Sequence, residues 1–285
     1  MTGDDTDGVP LDLAEFYDQH VEREWERLDR DFHHRLEWEA TVEYLEGHLP
    51  ETGHVLDAGG GAGRYAVWLA ERGHDVTLLD LSAGQAAFAR GKARERGVAD
   101  RVTVGRGDVR SLPAPDGRFD ATLCLGGPLS HVLDGDDRTR AVRELRRVTT
   151  PDAPVFVSVM GLVASVTRMM RYAGRVPEAE DDTELLADLA RTGDYDEELL
   201  DRYGRDPTVQ QMHLFRADEF EDLLESGGLV VETLAALEGP FSQRRDHLDE
   251  LDDEHRAVIR ETLDVLREDR SVVDHSAHML AVCFA

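Results

Sequence analysis

The stretch Val55-Leu56-Asp57-Ala58-Gly59-Gly60-Gly61-Ala62-Gly63 decides how this chain is read. Val55 and Leu56 open a β-rich run, and Gly63–Arg72 has the pattern of a helix, stopped by Gly73. Glycines therefore crowd the junction between a strand and a helix. Such a junction needs them for two reasons. Some positions take φ above zero, and the backbone must approach a ligand with no Cβ in the way. The helix that follows offers unpaired N–H groups to whatever lies over the turn.

Outward from this turn, short β-rich runs alternate with amphipathic helices. Asp75–Asp80, Arg101–Val104, Phe119–Leu125 and Pro154–Met160 read as strands. Ser82 reads as the N-cap of a helix running to Arg96, and Asp137–Val148 as another helix. Such alternation makes βαβ units and a parallel sheet with helices on both faces. Upstream, Leu11–Leu49 is helical in pattern, with a second helix through Leu36, Ala40, Leu45 and Leu49; residues 1–10 are polar and expected to fray. Downstream, residues 161–214 hold helical stretches (Val163–Tyr172, Thr183–Ala190, Glu197–Tyr203) and no clear strand. The alternation resumes with a helix at Ala217–Ser226, a strand at Leu229–Leu237, an amphipathic stretch at His247–Arg267 and a last strand at His278–Phe284. The expected organisation is N-terminal helices over 1–50, a core over 51–160 and 215–285, and a helical insert over 161–214.

The glycine spacing narrows the ligand. A dinucleotide fingerprint is G-x-G-x-x-G. Counted from Gly59 its third position is Arg64, and counted from Gly60 its second is Ala62, so the spacing fails. No Gly-Lys-Ser/Thr follows, so a P-loop is absent too. What stands here is D-x-G-x-G-x-G, through Asp57, Gly59, Gly61 and Gly63. Asp80 ends the second strand, where an acid in a nucleoside-binding sheet accepts both ribose hydroxyls.

This spacing resembles the first motif of class I S-adenosylmethionine (SAM) dependent methyltransferases. The likeness covers most of the chain. Phe16-Tyr17-Asp18, Glu24-Trp25-Glu26-Arg27-Leu28, Gly63-Arg64-Tyr65 and Asp274-His275-Ser276-Ala277-His278-Met279-Leu280 resemble the small-molecule, UbiE-like group. The resemblance implies an α/β, Rossmann-like sheet of seven mostly parallel strands with the last antiparallel. It implies lid helices before the sheet and a helical, acceptor-binding insert after the fifth strand. SAM is the implied cofactor and S-adenosylhomocysteine the product. Asp57, Ala58, Gly59, Gly60, Gly61 and Gly63 then cradle the cofactor, and Asp80 with Leu81 takes the ribose. Asp108 takes the adenine amino group while Val109 packs on the ring. Leu125 and Gly126 pass the methionine end, and Tyr17 and Arg27 touch the cofactor from the lid. Where relatives often carry Ser/Cys-Gly-Pro, this chain has Gly60-Gly61-Ala62. Backbone makes those contacts, so binding should be undisturbed.

Composition limits the partners. The chain has 285 residues, 32 Lys plus Arg against 60 Asp plus Glu, a net charge of -28, and Lys92 as its single lysine. Nucleic acid binds where cations displace counterions, so this balance argues against it and against an anionic membrane surface. An acidic surface suits molar salt, where the Debye length falls to about 3 Å, and resembles the proteins of salt-loving archaea. An acidic protein of ordinary salt is the other reading. Cys124 and Cys283 sit in apolar runs, as buried free thiols of a reducing compartment do. No run is long and apolar enough to span a bilayer, and the acidic start lacks a signal-peptide pattern. The expectation is a soluble cytoplasmic protein, monomer or homodimer, acting on a small-molecule acceptor.

Methyl transfer from a sulfonium is an in-line displacement that chiefly needs alignment and exclusion of water. If the acceptor must lose a proton, a histidine suits the task. The candidates are His131, after the fourth strand, and His213, at the exit of the insert. His33-His34 and His275…His278 lack a convincing second ligand pair, so no metal is expected. Arg168, Met169, Met170, Arg171, Tyr172 and Arg175 form a basic–apolar stripe that suits an anionic acceptor or the chain's own acidic helices; the second is preferred. A non-catalytic SAM-binding protein and a nicotinamide oxidoreductase stand as rivals.

Overall fold

A computed structural model describes residues 13–18, 20–175, 181–206 and 210–285. The expectations for residues 1–10 and for a helix from Leu11 lie outside the described residues. Strands β1 (His54–Ala58), β2 (Asp75–Asp80), β3 (Val102–Arg106), β4 (Ala121–Cys124) and β5 (Pro154–Met160) pair in parallel. In the insert, β6 (Asp194–Tyr195) and β7 (Met212–His213) make a separate antiparallel pair. Strands β8 (Val230–Ala236) and β9 (His278–Phe284) complete the main sheet, in the order β3-β2-β1-β4-β5-β9-β8. β9 runs antiparallel to both neighbours.

The strands are apolar almost throughout because both faces are covered. Successive residues feed opposite cores. Val155 and Val157 pack on one side, with Val142 and Leu145 of α6 (Gly135–Val148) and Phe220 and Leu224 of α10 (Ala217–Ser226). Phe156 packs on the other, with Ala40 and Leu45 of α3 (Phe32–His48), Leu69 of α4 (Arg64–Glu71) and Ala89 of α5 (Ala83–Glu95). Chain order leads from β1 out to β3, then back across β1 to β4. The carboxyl ends of β1 and β4 thus flank the point where a crevice opens in such sheets.

Local differences from the sequence reading have local causes. The N-terminal region is four pieces rather than two: α1 (Leu13–Asp18), α2 (Val21–Glu26), a 3-10 turn at Arg27–Asp29, and α3, which starts four residues before Leu36 because Asp31 caps it through His34 N. The insert contains the β6–β7 pair that was not expected; two-residue strands are too short to show alternation. Its helices are α7 (Leu162–Tyr172), α8 (Leu186–Thr192) and α9 (Glu197–Arg202), packed through Leu162, Leu189 and Leu200. The stretch His247–Arg267 is broken: α11 (Arg245–Leu248) ends early and Asp252 caps a new helix, α12 (Asp253–Leu266). A further short helix, α13 (Arg270–Asp274), is capped by Asp269.

The insert leaves and rejoins the core side by side. Leu162 N donates to Phe215 O and Phe215 N to Met160 O, at 2.8 and 2.9 Å. Gly161 lies at this junction, and a Cβ there would sit 2.2 Å from the backbone oxygen of Ser276. Gly161→Ala is therefore expected to cost about 1–3 kcal/mol. The check is a lower urea midpoint at unchanged slope; an unchanged midpoint would contradict this packing.

Candidate functional site

The glycine turn sits between β1 and α4. Gly59 and Gly61 have φ of 73° and 52°, which side-chain-bearing residues avoid. A Cβ on Gly59 would lie 2.6 Å from Pro128 Cγ, and one on Gly60 2.5 Å from Asp57 Oδ2. Only bare backbone closes this turn. Gly59 N donates to Leu79 O at 2.7 Å, which ties the turn to β2. Asp80 does the rest: Oδ2 accepts from Gly61 N and Oδ1 from Ser82 N, each at 2.8 Å. Burial raises the Asp80 pKa, and those two N–H groups oppose the rise.

A cavity of about 680 Å³ opens over this turn, at the carboxyl ends of the strands. Gly59, Gly60, Gly61, Asp80, Leu81, Asp108, Val109, Leu125 and Gly126 line it, as the sequence reading placed them. Tyr17, Arg27 and His131 line it too. Its size suits a nucleoside-sized cofactor. Three of the expected cradle residues do not reach its wall. Asp57 is buried beneath the turn, Ala58 is fully buried in the core, and Gly63 is the N-cap of α4. Asp57 is a support rather than a contact. Its Oδ2 has no hydrogen-bond partner, and burial, then the charge of Asp80, pushes its pKa up to about 7.

Asp108 is not an open acceptor. Both its oxygens take Nε of Arg110 at 3.0 Å, and Arg110 also reaches Asp137 at the start of α6. Arg110 and Asp137 line the cavity and were not picked from sequence; 27 residues separate them, so no local pattern joins them. Glu24, Arg64, Tyr65, Ser82 and Gln85 were also missed. Glu24 had a legible signal, since it stands one turn before Arg27 on the same helix face. Arg64 clasps the N-terminal segment by pairing with Asp29 at 2.5 Å and lying over the rings of Trp25 and Trp38. Ser82 binds α1 through Asp18, and Gln85 Nε2 donates to Tyr17 O.

The two candidate bases part company. His131 Nδ1 faces the carbonyl of Gln211 at 3.1 Å, so it carries the proton and donates. Nε2 is then the acceptor, and the Tyr17 hydroxyl donates to it at 3.1 Å. Gln210 Nε2 in turn donates to that hydroxyl at 2.8 Å. Burial lowers the His131 pKa, and it pushes Tyr17 up to about 12, so both stay neutral near pH 7. His213 is different. It is 2% exposed, its Nδ1 and Nε2 lie 2.6 Å from Asp194 and Glu219, and it is absent from the cavity wall. With both nitrogens against carboxylates and the ring away from the cavity, His213 fastens β7 to β6 and α10.

Residues 55–152 match a family model described as a methyltransferase domain. The chain carries a class I methyltransferase domain. SAM is its cofactor, and the positive-φ turn and the Asp80 carboxylate fit that group. Among curated proteins the chain is similar to a putative methyltransferase, YqeM, of Bacillus subtilis: 25% identical, over 68% of this chain and 81% of that one. Norajmaline N-methyltransferase of Rauvolfia serpentina is 32% identical over 36% of this chain and 35% of its own, so the chain spans about a third of that relative. Among solved structures, a possible histamine N-methyltransferase of Thermotoga maritima shares the fold with a TM-score of 0.56, at 18% identity, over 95% of this chain and 99% of that one.

Asp57 gives a pH test. An unfolded Asp titrates near 3.9, and folded Asp57 at about 7. Between these values the folded state holds the extra proton, so this group's stabilising contribution is full below about pH 4 and lost by about pH 7. Asp57→Asn, which keeps an acceptor for Ala66 N, removes that slope. Relative to wild type, the ligand-free variant is expected to be more stable by about 2–4 kcal/mol at pH 8 and to lose the advantage at pH 4. Urea unfolding at both pH values checks this; equal differences at both would contradict it.

Proposed function

We propose that this protein is an enzyme that moves a methyl group from SAM to a small-molecule acceptor. The observation that carries the reading is the cavity over the glycine turn, with Asp80 and Asp108 on one side and the lid on the other. Gly59–Gly61 and Asp80 would hold the nucleoside, and Arg27 and Glu24 the amino-acid end. When bound, SAM supplies a methyl carbon already activated by the sulfonium. The chain's own tasks are alignment and exclusion of water. The lid covers the cavity through Asp18 on Ser82 and Gly84, and through Tyr17 on Gln85, His131 and Gln210.

His131 is the group we assign as base. Its Nε2 takes a hydrogen bond from the Tyr17 hydroxyl at the cavity wall, and an acceptor's O–H or N–H would take that hydroxyl's place. The acceptor enters from the insert. A second cavity, about 290 Å³, lies there among Arg168, Met169, Tyr172, Tyr195, Met212 and Leu214. Met212 follows Gln211, whose carbonyl orients His131, so β7 joins the two cavities. An apolar body with a polar end suits that lining. The name of the relative that acts on norajmaline supports a small acceptor. So does the lid, which supports a place in the UbiE-like group.

The net charge of -28 supports a home in strong salt and speaks against nucleic acid. Among the described residues no helix is long and apolar enough to cross a membrane; with the two buried free cysteines this supports a cytoplasmic site.

His131→Ala is expected to lower kcat about a hundredfold or more, with affinity for S-adenosylhomocysteine within about threefold of wild type, because His131 meets the acceptor side. Transfer of radiolabelled methyl to a panel of amines, phenols and carboxylic acids measures the first and calorimetry the second. Unchanged kcat would remove His131 as base. Binding without transfer to any acceptor would favour a SAM-binding protein without catalysis.

A further inference from the structure

Four side chains from four distant segments meet behind the lid. Arg27, on the cavity wall, donates through Nη1 and Nη2 to Glu37 of α3 at 2.6 and 2.7 Å. On the far side of Glu37, Nδ1 of His278, the first residue of β9, lies 3.6 Å from Oε2. The same Nδ1 donates to Glu238, just after β8, at 2.6 Å. Glu238 Oε2 accepts from Ser276 Oγ at 2.9 Å and from His278 N at 3.0 Å. Glu37 and Glu238 are 2% and 0% exposed.

Buried carboxylates are costly unless paired, and breaking one such pair costs several times what the pair contributes. Here two cations face two anions, and the set is neutral. Burial works against the charge on His278, but Glu37 and Glu238, close on one side of its ring, together raise its pKa above the usual histidine value and favour the charged form. His33 and Tyr65 also face the set, and Glu24 faces Arg27 at 3.7 Å. The donors of Glu37, Glu238 and His278 lie close enough to hold a metal ion. Yet Arg27 and His278 already satisfy both carboxylates, and a neutral set has no pull on a cation.

The consequence falls on Arg27. Its Nη2 lies 3.8 Å from where a Cβ on Gly126 would stand, at the end of the cavity away from Asp108. Arg27 balances Glu37, and His278 balances Glu238. With Glu238 balanced, its charge does not weaken the pull of Arg27 on an incoming anion. Take away the His278 charge, and the set is left with one more anion than cations.

We infer that His278 and Glu238 are positioning residues for donor binding: by balancing each other beside Glu37, they leave Arg27 aimed and charged for the carboxylate at the amino-acid end of the methyl donor. This rests on the reading of the cavity as a SAM site.

Two nucleosides separate the claim from mere folding. S-adenosylhomocysteine has the amino-acid end, and 5′-methylthioadenosine lacks it. By calorimetry, His278→Gln is expected to weaken S-adenosylhomocysteine about tenfold and leave methylthioadenosine within about twofold. Adding Glu238→Gln removes both charges together, so the double variant should return to within about threefold of wild type for S-adenosylhomocysteine. An unchanged ratio of the two affinities in His278→Gln overturns the inference. So does a double variant weaker than the single one, or equal loss of both nucleosides in every variant. Wild-type protein that binds neither nucleoside overturns the SAM reading itself, and this inference with it.

Discussion

The carboxylate of Asp80 accepts from the backbone of Gly61 on one side and Ser82 on the other. Through Gly61 it holds one side of the turn, as the bond from Gly59 N to Leu79 O holds the other. Through Ser82 it fixes the start of α5, and Ser82 in turn holds Asp18 of the lid. One acid at the end of one strand thus connects the sheet, the turn and the cover. It also lies against a second acid, Asp57, buried with an unpartnered oxygen. Such strain is tolerated where function needs it.

The rest of the site is built by segments far apart in sequence. Tyr17 comes from the lid, His131 from the turn after β4 and Gln210 from the insert, and the three meet in one hydrogen-bonded group. The acidic surface plays a different part. Many arginines go into ion pairs at the surface, such as Arg260 with Glu39 and Arg270 with Asp218, with both partners partly exposed. Pairs of this kind add little stability. The buried pairing of Arg27 with Glu37 is screened far less by salt.

The sheet was legible because its strands are apolar and sharply bounded. β2, β5 and β9 match the sequence reading to the residue, and Ser82 caps α5 as expected. The turn and Asp80 were legible because glycine and a strand-end acid carry a physical requirement at a fixed spacing. What escaped the reading depends on contacts between segments. His213 looked like a base from its position, but Asp194 and Glu219 close on both its nitrogens. Asp57 looked like a cofactor contact, but burial turns it under the loop. Arg110 and Asp137, and the set of Glu37, Glu238 and His278, are drawn together by folding alone.

The central claim is that the turn after Asp57 holds a SAM-type nucleoside and not a dinucleotide. Titration calorimetry of the wild-type protein in strong salt, with S-adenosylhomocysteine and with NADH, tests it most directly. Saturable one-to-one binding of S-adenosylhomocysteine, with no heat from NADH, is the predicted result. Binding of NADH with no response to S-adenosylhomocysteine would contradict the account.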